Sequence, residues 1–485
     1  MSESKFNTGD GANNQNVDAG DSSVNILGEN KYVFTSNSYY GTGGYRDGTY
    51  LVAHTRELFY DKRRQLSAYR NFMKPILDSL ITPVFNEEAI RTVEGNGAMF
   101  ETFLEDVSNN GEPIQSFVKQ AVTYSRLHGV TFVVMDNYSE EVQPETQNEA
   151  IGSRIMPYVY IRQAQDVENY ELDMFGNLIS ITFIEQPVYK ENGETEARYR
   201  IWTNTYSQVL KKTKEGKYEP AGDLNMHGLG VLPVISLYSI DKQTVNQVLV
   251  EPPLYDVARL CYQLYNKDSS IIDQERAQAF ANFYIQTDNG GNITLGTHNV
   301  IFIPMDTTIP PGYTSPDAGI LAGLVDNAEK LKESIFQIAQ QNGVYGIKEA
   351  SSGIAMSYDF YAQEYQLKYT AYIATKLEND IADLFKLYTN TDFEYVVTYP
   401  EEYQPGNSKA IIETYKIALD MGVPQKFKQA LYEKMARMLF SDEDETKLKE
   451  IIEDIYKEPE IKELPNLTKG ETDGNGADGE QGSDE

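Results

Sequence analysis

This sequence of 485 residues has little of what builds disulfide frameworks, metal centres or membrane spans. Its one cysteine, Cys261, excludes an internal disulfide and any zinc site made of several cysteines. No stretch approaches the ~20 consecutive apolar residues that cross a bilayer. The polar residues 1–30 lack the basic and apolar regions of a secretory signal. Its four histidines lack the spacing of paired metal ligands; they are His54, His128, His227 and His298. The sequence therefore predicts a soluble, intracellular protein without a metal site.

Basic residues are a minority: 42 Lys and Arg stand against 73 Asp and Glu, which gives a net charge of −31. The densest basic segments, Lys62-Arg63-Arg64 and Lys211-Lys212-Thr213-Lys214, are short. Proteins that grip DNA tightly cluster Lys and Arg to neutralise phosphates, so sequence-specific DNA binding is not expected. The acidity indicates either plain solubility or a surface past which a polyanion moves without sticking.

Motifs of catalysis are also missing. The run Gly41-Thr42-Gly43-Gly44 lacks the lysine and the preceding strand of a phosphate-binding loop. No serine lies in a Gly-x-Ser-x-Gly elbow. Cys261 falls on the apolar face of a predicted helix, which is typical of a buried residue. The acidic run Asp442-Glu443-Asp444-Glu445 is interpreted as a helix start rather than a cation site. We predict no enzymatic activity, no cofactor and no metal.

The length predicts two to four structural units. Composition predicts disorder at both ends, in residues 1–35 and 461–485, because apolar anchors are few there. Residues 50–85 have apolar side chains near helical spacing, and residues 99–127 predict two helices separated by Asn109-Asn110-Gly111. The β-branched run Val130-Thr131-Phe132-Val133-Val134-Met135 is typical of a buried strand. Turn signals at short spacing predict an antiparallel β-meander in residues 155–240.

Long helices follow. The pattern predicts one over 253–285 and a second over 319–341, with a Gly-, Asn- and Pro-rich strand insert between them. A glycine-rich connection then leads to a third long helix and a strand. Three short helices are predicted last, at 407–421, 424–440 and 443–456. The first two helices exceed the width of an ordinary domain, so their apolar faces need a partner. Copies of the same chain are the simplest source.

Several segments, taken in order, resemble portal proteins of tailed bacteriophages. One runs from Phe117-Val118-Lys119 to Leu127-His128-Gly129 and through the strand that follows. A second runs from Thr294-Leu295-Gly296 to Ile301-Phe302-Ile303-Pro304 and on to Asp317-Ala318-Gly319-Ile320. The third is Ala350-Ser351-Ser352-Gly353-Ile354-Ala355. The similarity covers roughly residues 40–440.

The resemblance implies an α+β portal-like fold with named regions. Residues 36–250 would form the wing, which contains mixed α/β structure and the β-meander. Residues 253–285 and 319–341 would be long stem helices on either side of a small α/β clip at 286–318. Residues 342–352 would be a tunnel loop, and 353–404 a long wing helix and strand. Residues 405–460 would form a helical crown.

The resemblance also implies a function. Such a protein forms a homo-oligomeric ring, usually a dodecamer, at one vertex of the viral capsid. It is a conduit for double-stranded DNA in packaging and genome ejection, without sequence specificity. Its partners would be the large terminase subunit, a head–tail connector or adaptor and the major capsid protein. We expect it in the virion, and in the host cytoplasm during assembly, with no membrane partner.

Site residues follow from the same resemblance. The tunnel loop nearest the DNA would present Asn342, Gly343, Lys348, Ser351 and Ser352. The clip would contact terminase through Asn292, Thr294, His298, Asp306 and Thr307. The alternative is another viral head–tail connector or adaptor, which would lack this order of helix, insert, helix and glycine-rich connection. A soluble acidic enzyme is a third reading, and it would need a convergent polar site that no spacing supplies.

Overall fold

The computed structural model describes residues 28–55, 57, 59–137, 146–190, 193–213, 215–279, 282–286, 300–303, 310, 312–314, 317–339, 353–400, 403, 419, 424–439 and 445–457. The chain divides into two compact units, Met1–Tyr403 and Gln404–Glu485. This division lies within the two to four units that the length predicts.

The described part of the first unit contains both helices and strands. Its helices are α1 Lys31–Tyr40, α2 Gly44–Asp47, α3 Tyr60–Leu66, α4 Met73–Ile81, α5 Ala98–Glu105, α6 Ile114–His128, α7 Gln147–Ser153, α8 Tyr255–Ala279, α9 Ala318–Ile338 and α10 Gly353–Thr389. Its strands are β1 Ile90–Gly95, β2 Val130–Asp136, β3 Tyr158–Gln163, β4 Val167–Leu172, β5 Leu178–Tyr189, β6 Thr195–Thr203, β7 Tyr206–Lys212, β8 Tyr218–Met226, β9 Val234–Tyr238, β10 Asn282–Gln286, β11 Val300–Ile303, β12 Gly312–Thr314 and β13 Phe393–Thr398. The predicted α+β class is confirmed.

A three-stranded antiparallel sheet lies at the centre of this unit, with strand order β3-β2-β9. All seven residues of β2 are buried, as the β-branched run predicts. Helix α6 precedes β2 and ends at Gly129, whose φ of 84° is a left-handed value that favours glycine. A Cβ at Gly129 would come within 2.6 Å of Val250, so the glycine also permits close packing at this turn.

The β-meander is shorter than predicted. Five antiparallel strands follow the order β4-β5-β6-β7-β8 and span Val167–Met226. Strands β3 and β9, which lie at the two ends of the predicted range 155–240, pair instead with β2. The correction has a physical reason: β2 is buried and needs a partner on each edge, and those partners come from distant parts of the chain. Phe183 and Trp202 of the meander pack in the core that includes Phe132 of β2.

The N-terminal boundary also needs correction. Residues 31–35 belong to helix α1, not to the disordered arm predicted for 1–35. The Asn30 side chain caps α1 by accepting from the backbone N–H of Tyr32 at 2.8 Å. Tyr32 and Phe34 are buried, and Phe34 lies among the rings of Tyr50, Tyr255 and Tyr262. This aromatic packing holds α1 in place.

The predicted helical region 50–85 is discontinuous, because α3 and α4 are separated by extended residues and a 3₁₀ turn covers Thr82–Phe85. The two helices predicted within 99–127 are confirmed as α5 and α6. Strand β1 was not predicted. It pairs antiparallel with β13 in a two-stranded ribbon that lies beside the end of α10.

The second unit is described through two helices, α11 Gln425–Leu439 and α12 Glu445–Lys457. They correspond to the predicted helices 424–440 and 443–456. The Gln429 side chain donates to the carbonyl of Ile455 at 3.3 Å, and Tyr456 donates to Glu433 at 2.7 Å. The helix predicted at 407–421 lies outside the described residues except for one position.

Candidate functional site

The most distinctive feature of the first unit is a helix–sheet–helix projection. Helix α8 leads out of the body, strands β10, β11 and β12 form a small sheet, and α9 leads back and packs on α8. From Tyr255 to Ser269 most side chains of α8 are buried, whereas residues 270–279 are exposed or half-buried. Residues 319–327 of α9 are likewise exposed or half-buried. At 1.5 Å per residue, each outer segment extends about 15 Å. We call these outer segments and the small sheet the projection, and the rest of the first unit the body.

Two arginines hold α8 at the level where it leaves the body. Arg70 makes a two-pronged ion pair with Asp268, with both N–O distances at 2.5 Å. Arg63 donates to the Ser269 hydroxyl at 2.8 Å and to both carboxylate oxygens of Glu57 at 2.7 and 2.9 Å. These paired bonds fix direction as well as position. They orient the helix at the base of the projection.

The charged side chains at the base of the projection form pairs of opposite charge. The hydrogen bond from Arg63 lowers the pKa of Glu57, and the Glu57 carboxylate in turn raises the pKa of Arg63. The Asp268 carboxylate likewise raises the pKa of Arg70. These shifts keep Glu57, Arg63 and Arg70 charged near neutral pH, so the base is a structural clamp rather than an acid–base site.

The returning helix is fixed at both ends. Asp317 caps the start of α9 by accepting from the N–H of Gly319 at 2.8 Å, and its carbonyl accepts from the Gln278 side chain at 3.3 Å. At the other end Phe336 is buried, and its ring meets that of Phe72 at 5.6 Å. The two helices are therefore joined both at the tip and at the base.

The sequence predicted that copies of the chain bury the apolar faces of the two long helices. For the inner segments this prediction is wrong, because the body of the same chain buries them. Val257, Cys261, Leu264, Ala328 and Ile335 are all almost completely inaccessible. The outer segment of α9 differs, since Ile320 and Val325 there are exposed. Ile338, at the inner end of the same helix, is exposed as well.

The predicted first helix, 253–285, is also too long. Helix α8 ends at Ala279, and residues 282–286 form β10, the central strand of the tip sheet. Strand β10 pairs in parallel with β11 and antiparallel with β12, and the rings of Phe283 and Tyr313 lie 5.2 Å apart across one pair. The second long helix ends at Ile338, three residues before its predicted end at 341.

The site residues predicted from the family resemblance cannot be placed in this geometry. The clip positions Asn292, Thr294, His298, Asp306 and Thr307 lie outside the described residues. The same is true of the tunnel-loop positions Asn342, Gly343, Lys348, Ser351 and Ser352. The described strands β10, β11 and β12 come from the chain segments that flank the predicted clip positions.

Sequence reasoning missed the residues at the base of the projection. Arg63 appeared only as part of a short basic run, and Arg70, Asp268 and Ser269 were not singled out. Their partners lie about two hundred residues away in the chain. No local pattern could have revealed these contacts.

The described residues contain no group of three or more His, Cys, Asp or Glu side chains that could hold a metal ion. Burial raises the pKa of Cys261 to about 12, so its thiol is protonated near neutral pH. His128 is fully buried, and burial lowers its pKa to about 4. Among the helices that the structure describes, none combines the length and the apolar character of a membrane span.

No protein-family model matches this sequence, and no curated protein is significantly similar to it. Among the solved structures that resemble this chain, three with low sequence identity come from gene transfer agent particles. One, titled as the virion of a native gene transfer agent particle, has 10% identity and a TM-score of 0.38, with 84% of this chain and 94% of that chain covered. A chain from the neck of the empty particle, computed with C6 symmetry, has 9% identity and a TM-score of 0.37, with 74% and 88% covered. A chain from the neck of the native particle, computed with C12 symmetry, has 10% identity and a TM-score of 0.36, with 74% and 88% covered. At TM-scores below 0.5, these likenesses carry no argument about what this chain does.

Proposed function

We propose that this chain is a portal-type protein: twelve identical copies form a ring through which double-stranded DNA enters and leaves a viral capsid. The observation that carries the proposal is the projection. Two helices leave one α+β body side by side and carry a separate small sheet at the tip, and Arg63 and Arg70 brace the first of them at its base. This arrangement occurs in the chain order that the sequence shares with portal proteins.

In this proposal the helices α8 and α9 form the stem, and the tip sheet is the clip. Terminase and later the head–tail connector dock on the clip, and its contact positions are Asn292, Thr294, His298, Asp306 and Thr307. Residues 342–352 form the tunnel loop, with Lys348 as its cation. Unit two, which contains α11 and α12, supplies the crown. The protein acts at the capsid vertex of the virion after assembly in the host cytoplasm.

The charge of the chain suits this role. A net charge of −31 per copy gives a ring that repels phosphate, so DNA can pass without being held. No chemistry is required of the conduit itself. The proposed role is therefore structural, and the motor activity belongs to the terminase.

The test is the oligomeric state of the purified full-length chain. Native mass spectrometry and electron microscopy down the particle axis should show closed rings with a central hole. A single monomer peak at every concentration up to tens of micromolar would contradict the proposal. Rings without a hole wide enough for a DNA duplex, about 20 Å, would favour a connector that does not transmit DNA.

A further inference from the structure

One exposed surface of the body combines apolar side chains with an unmatched lysine. Lys242 lies over the ring of Tyr238, with its ammonium 4.5 Å from the ring centre. Among the described residues, no carboxylate forms an ion pair with it. Lys242 and Tyr238 also line a groove of about 350 Å³, together with Leu172, Leu232 and Val248. A cation over an aromatic ring, with large apolar side chains exposed on the neighbouring turn, favours a partner that is both apolar and acidic.

The rim of the groove is rigid and strongly apolar. The turn between β4 and β5 exposes 88% of Met174 and 70% of Phe175. The Asp173 carboxylate holds this turn by accepting from the N–H groups of Phe175 and Asn177, both at 2.8 Å. Val245, 67% exposed, packs against Gly176, where a Cβ would come within 2.4 Å of it. A braced turn that presents large apolar side chains has little entropy to lose on binding. We call Lys242, Met174, Phe175 and Val245 the lysine surface.

A second exposed surface has the complementary character. On the β1–β13 ribbon, Glu94 lies directly opposite Glu394, and both are exposed. Like charges in directly opposed positions destabilise a strand pair unless a cation faces them. In the part of the chain that the structure describes, no basic side chain pairs with either glutamate. Ile90, 72% exposed, and Val396, 50% exposed, lie on the same face of the ribbon. We call these four residues the glutamate surface.

The lysine surface lies beside the middle of helix α10, and the glutamate surface lies near its C-terminal end. Asp241, the neighbour of Lys242, is close to Tyr369, whose pKa is raised by burial and then by the Asp241 carboxylate. Strand β13 begins shortly after α10 ends at Thr389. The twenty residues between Tyr369 and Thr389 span about 30 Å of helix. The two surfaces are therefore too far apart to meet within one copy.

We propose that the lysine surface of one copy packs against the glutamate surface of the next. Among the residues that the structure describes, neither surface has an ion-pair partner of opposite charge, and each carries the charge and the apolar side chains that the other needs. Two different surfaces that meet in this way make a head-to-tail contact, and such a contact closes into a ring when the rotation between copies permits. The inference rests on the proposed function and assigns it an interface.

Charge exchange between variants tests this contact. We would compare the full-length wild type, Lys242→Glu, and the double variant Glu94→Lys/Glu394→Lys by native mass spectrometry and analytical ultracentrifugation. Each variant alone juxtaposes like charges and should weaken assembly at least tenfold. An equimolar mixture of the two should recover rings, because every contact in an alternating ring then pairs a lysine with a glutamate. Lys119→Glu, at an exposed position of α6, makes the same charge change and should assemble like the wild type.

The outcomes separate the interface from the function. If the wild type forms rings and both variants form them equally well, the proposed contact between the two surfaces is wrong, but the proposal of a ring still stands. If each variant is weakened but the mixture gives no recovery, the two surfaces do not meet and the interface is also wrong. A wild type that stays monomeric overturns the proposed function itself. Circular dichroism of each variant shows whether a loss of assembly is a loss of folding, and recovery in the mixture excludes misfolding directly.

Discussion

The buried ion pair of Glu378 in the body joins distant parts of the chain, whereas the ion pair of Asp326 at the outer part of α9 is exposed and local. Glu378 of α10 is almost fully buried and accepts from Arg91 of β1 at 2.8 and 2.9 Å, as well as from Tyr395 and Tyr399. In α9, Lys330 pairs with Asp326 one turn away, and both are largely exposed. Because desolvated groups depend on their partners far more than solvated ones do, contacts in the body specify the fold. Those of the projection support a helix that already exists.

The largest effect that follows from this comparison is expected for Glu378→Gln. Loss of the carboxylate leaves the Arg91 guanidinium buried without a counter-charge, which should lower the free energy of unfolding by about 3–5 kcal/mol. Urea denaturation followed by circular dichroism measures it. The matched control is Asp326→Asn in the projection, which should cost less than about 0.5 kcal/mol. Equal losses in the two variants would contradict the distinction between body and projection.

A smaller effect is expected from acid, through His128. Its Nε2 lies 2.8 Å from the Ser36 hydroxyl, and burial lowers its pKa from the ordinary value of about 6.5 to about 4. Since the unfolded chain binds this proton more tightly than the folded chain, stability should fall as the pH drops from about 6.5 to 4. Protonation of this histidine should lower the free energy of unfolding by about 2–3 kcal/mol over that pH range.

The measurement is the free energy of unfolding between pH 7 and pH 4 for the wild type and for His128→Asn. Carboxylates of this acidic chain titrate in both proteins, so the difference between the two slopes isolates the histidine. The wild type should show the steeper loss. Parallel curves would mean that His128 is protonated in the folded state, or is accessible to water.

The smallest effect on stability is expected at the tip of the projection. Replacement of residues 280–317 by a short Gly/Ser linker removes the tip sheet but keeps both helices and the base contacts of Arg63 and Arg70. The free energy of unfolding of the body should change by less than about 1 kcal/mol. Under the proposed function, rings should still form, and binding of a large terminase subunit should be lost. A body that no longer folds would show that the tip belongs to its core.

Local patterns predicted the elements whose burial is decided by their own sequence. Strand β2 is apolar at nearly every position, and α6 has apolar residues at helical spacing, so both were predicted correctly. Helix α1 was missed because its polar and aromatic residues do not follow a clear helical spacing, and its place is fixed by distant rings such as Tyr255 and Tyr262.

Elements whose structure depends on contacts with distant parts of the chain were predicted less well. Phe283 and Ile285 continue the apolar spacing of α8, which is why the helix was predicted to reach residue 285. They instead form a strand because β11 and β12 supply partners on both edges. The contacts at the base of the projection could not be predicted from local sequence patterns, because Arg70 and Asp268 are 198 residues apart. The order of the long helices was predictable, and the contacts that hold them were not.

The two helices of the projection leave the body at the same level and stand one helix spacing apart, about 8–10 Å. The described strands between Ala279 and Ala318 form a sheet of their own, which is attached through the ends of two neighbouring helices. A different small domain could be grafted there if its ends lie at that spacing. The same body could then carry tip domains that bind different partners. The sequences of the body and of the tip domain could change at different rates.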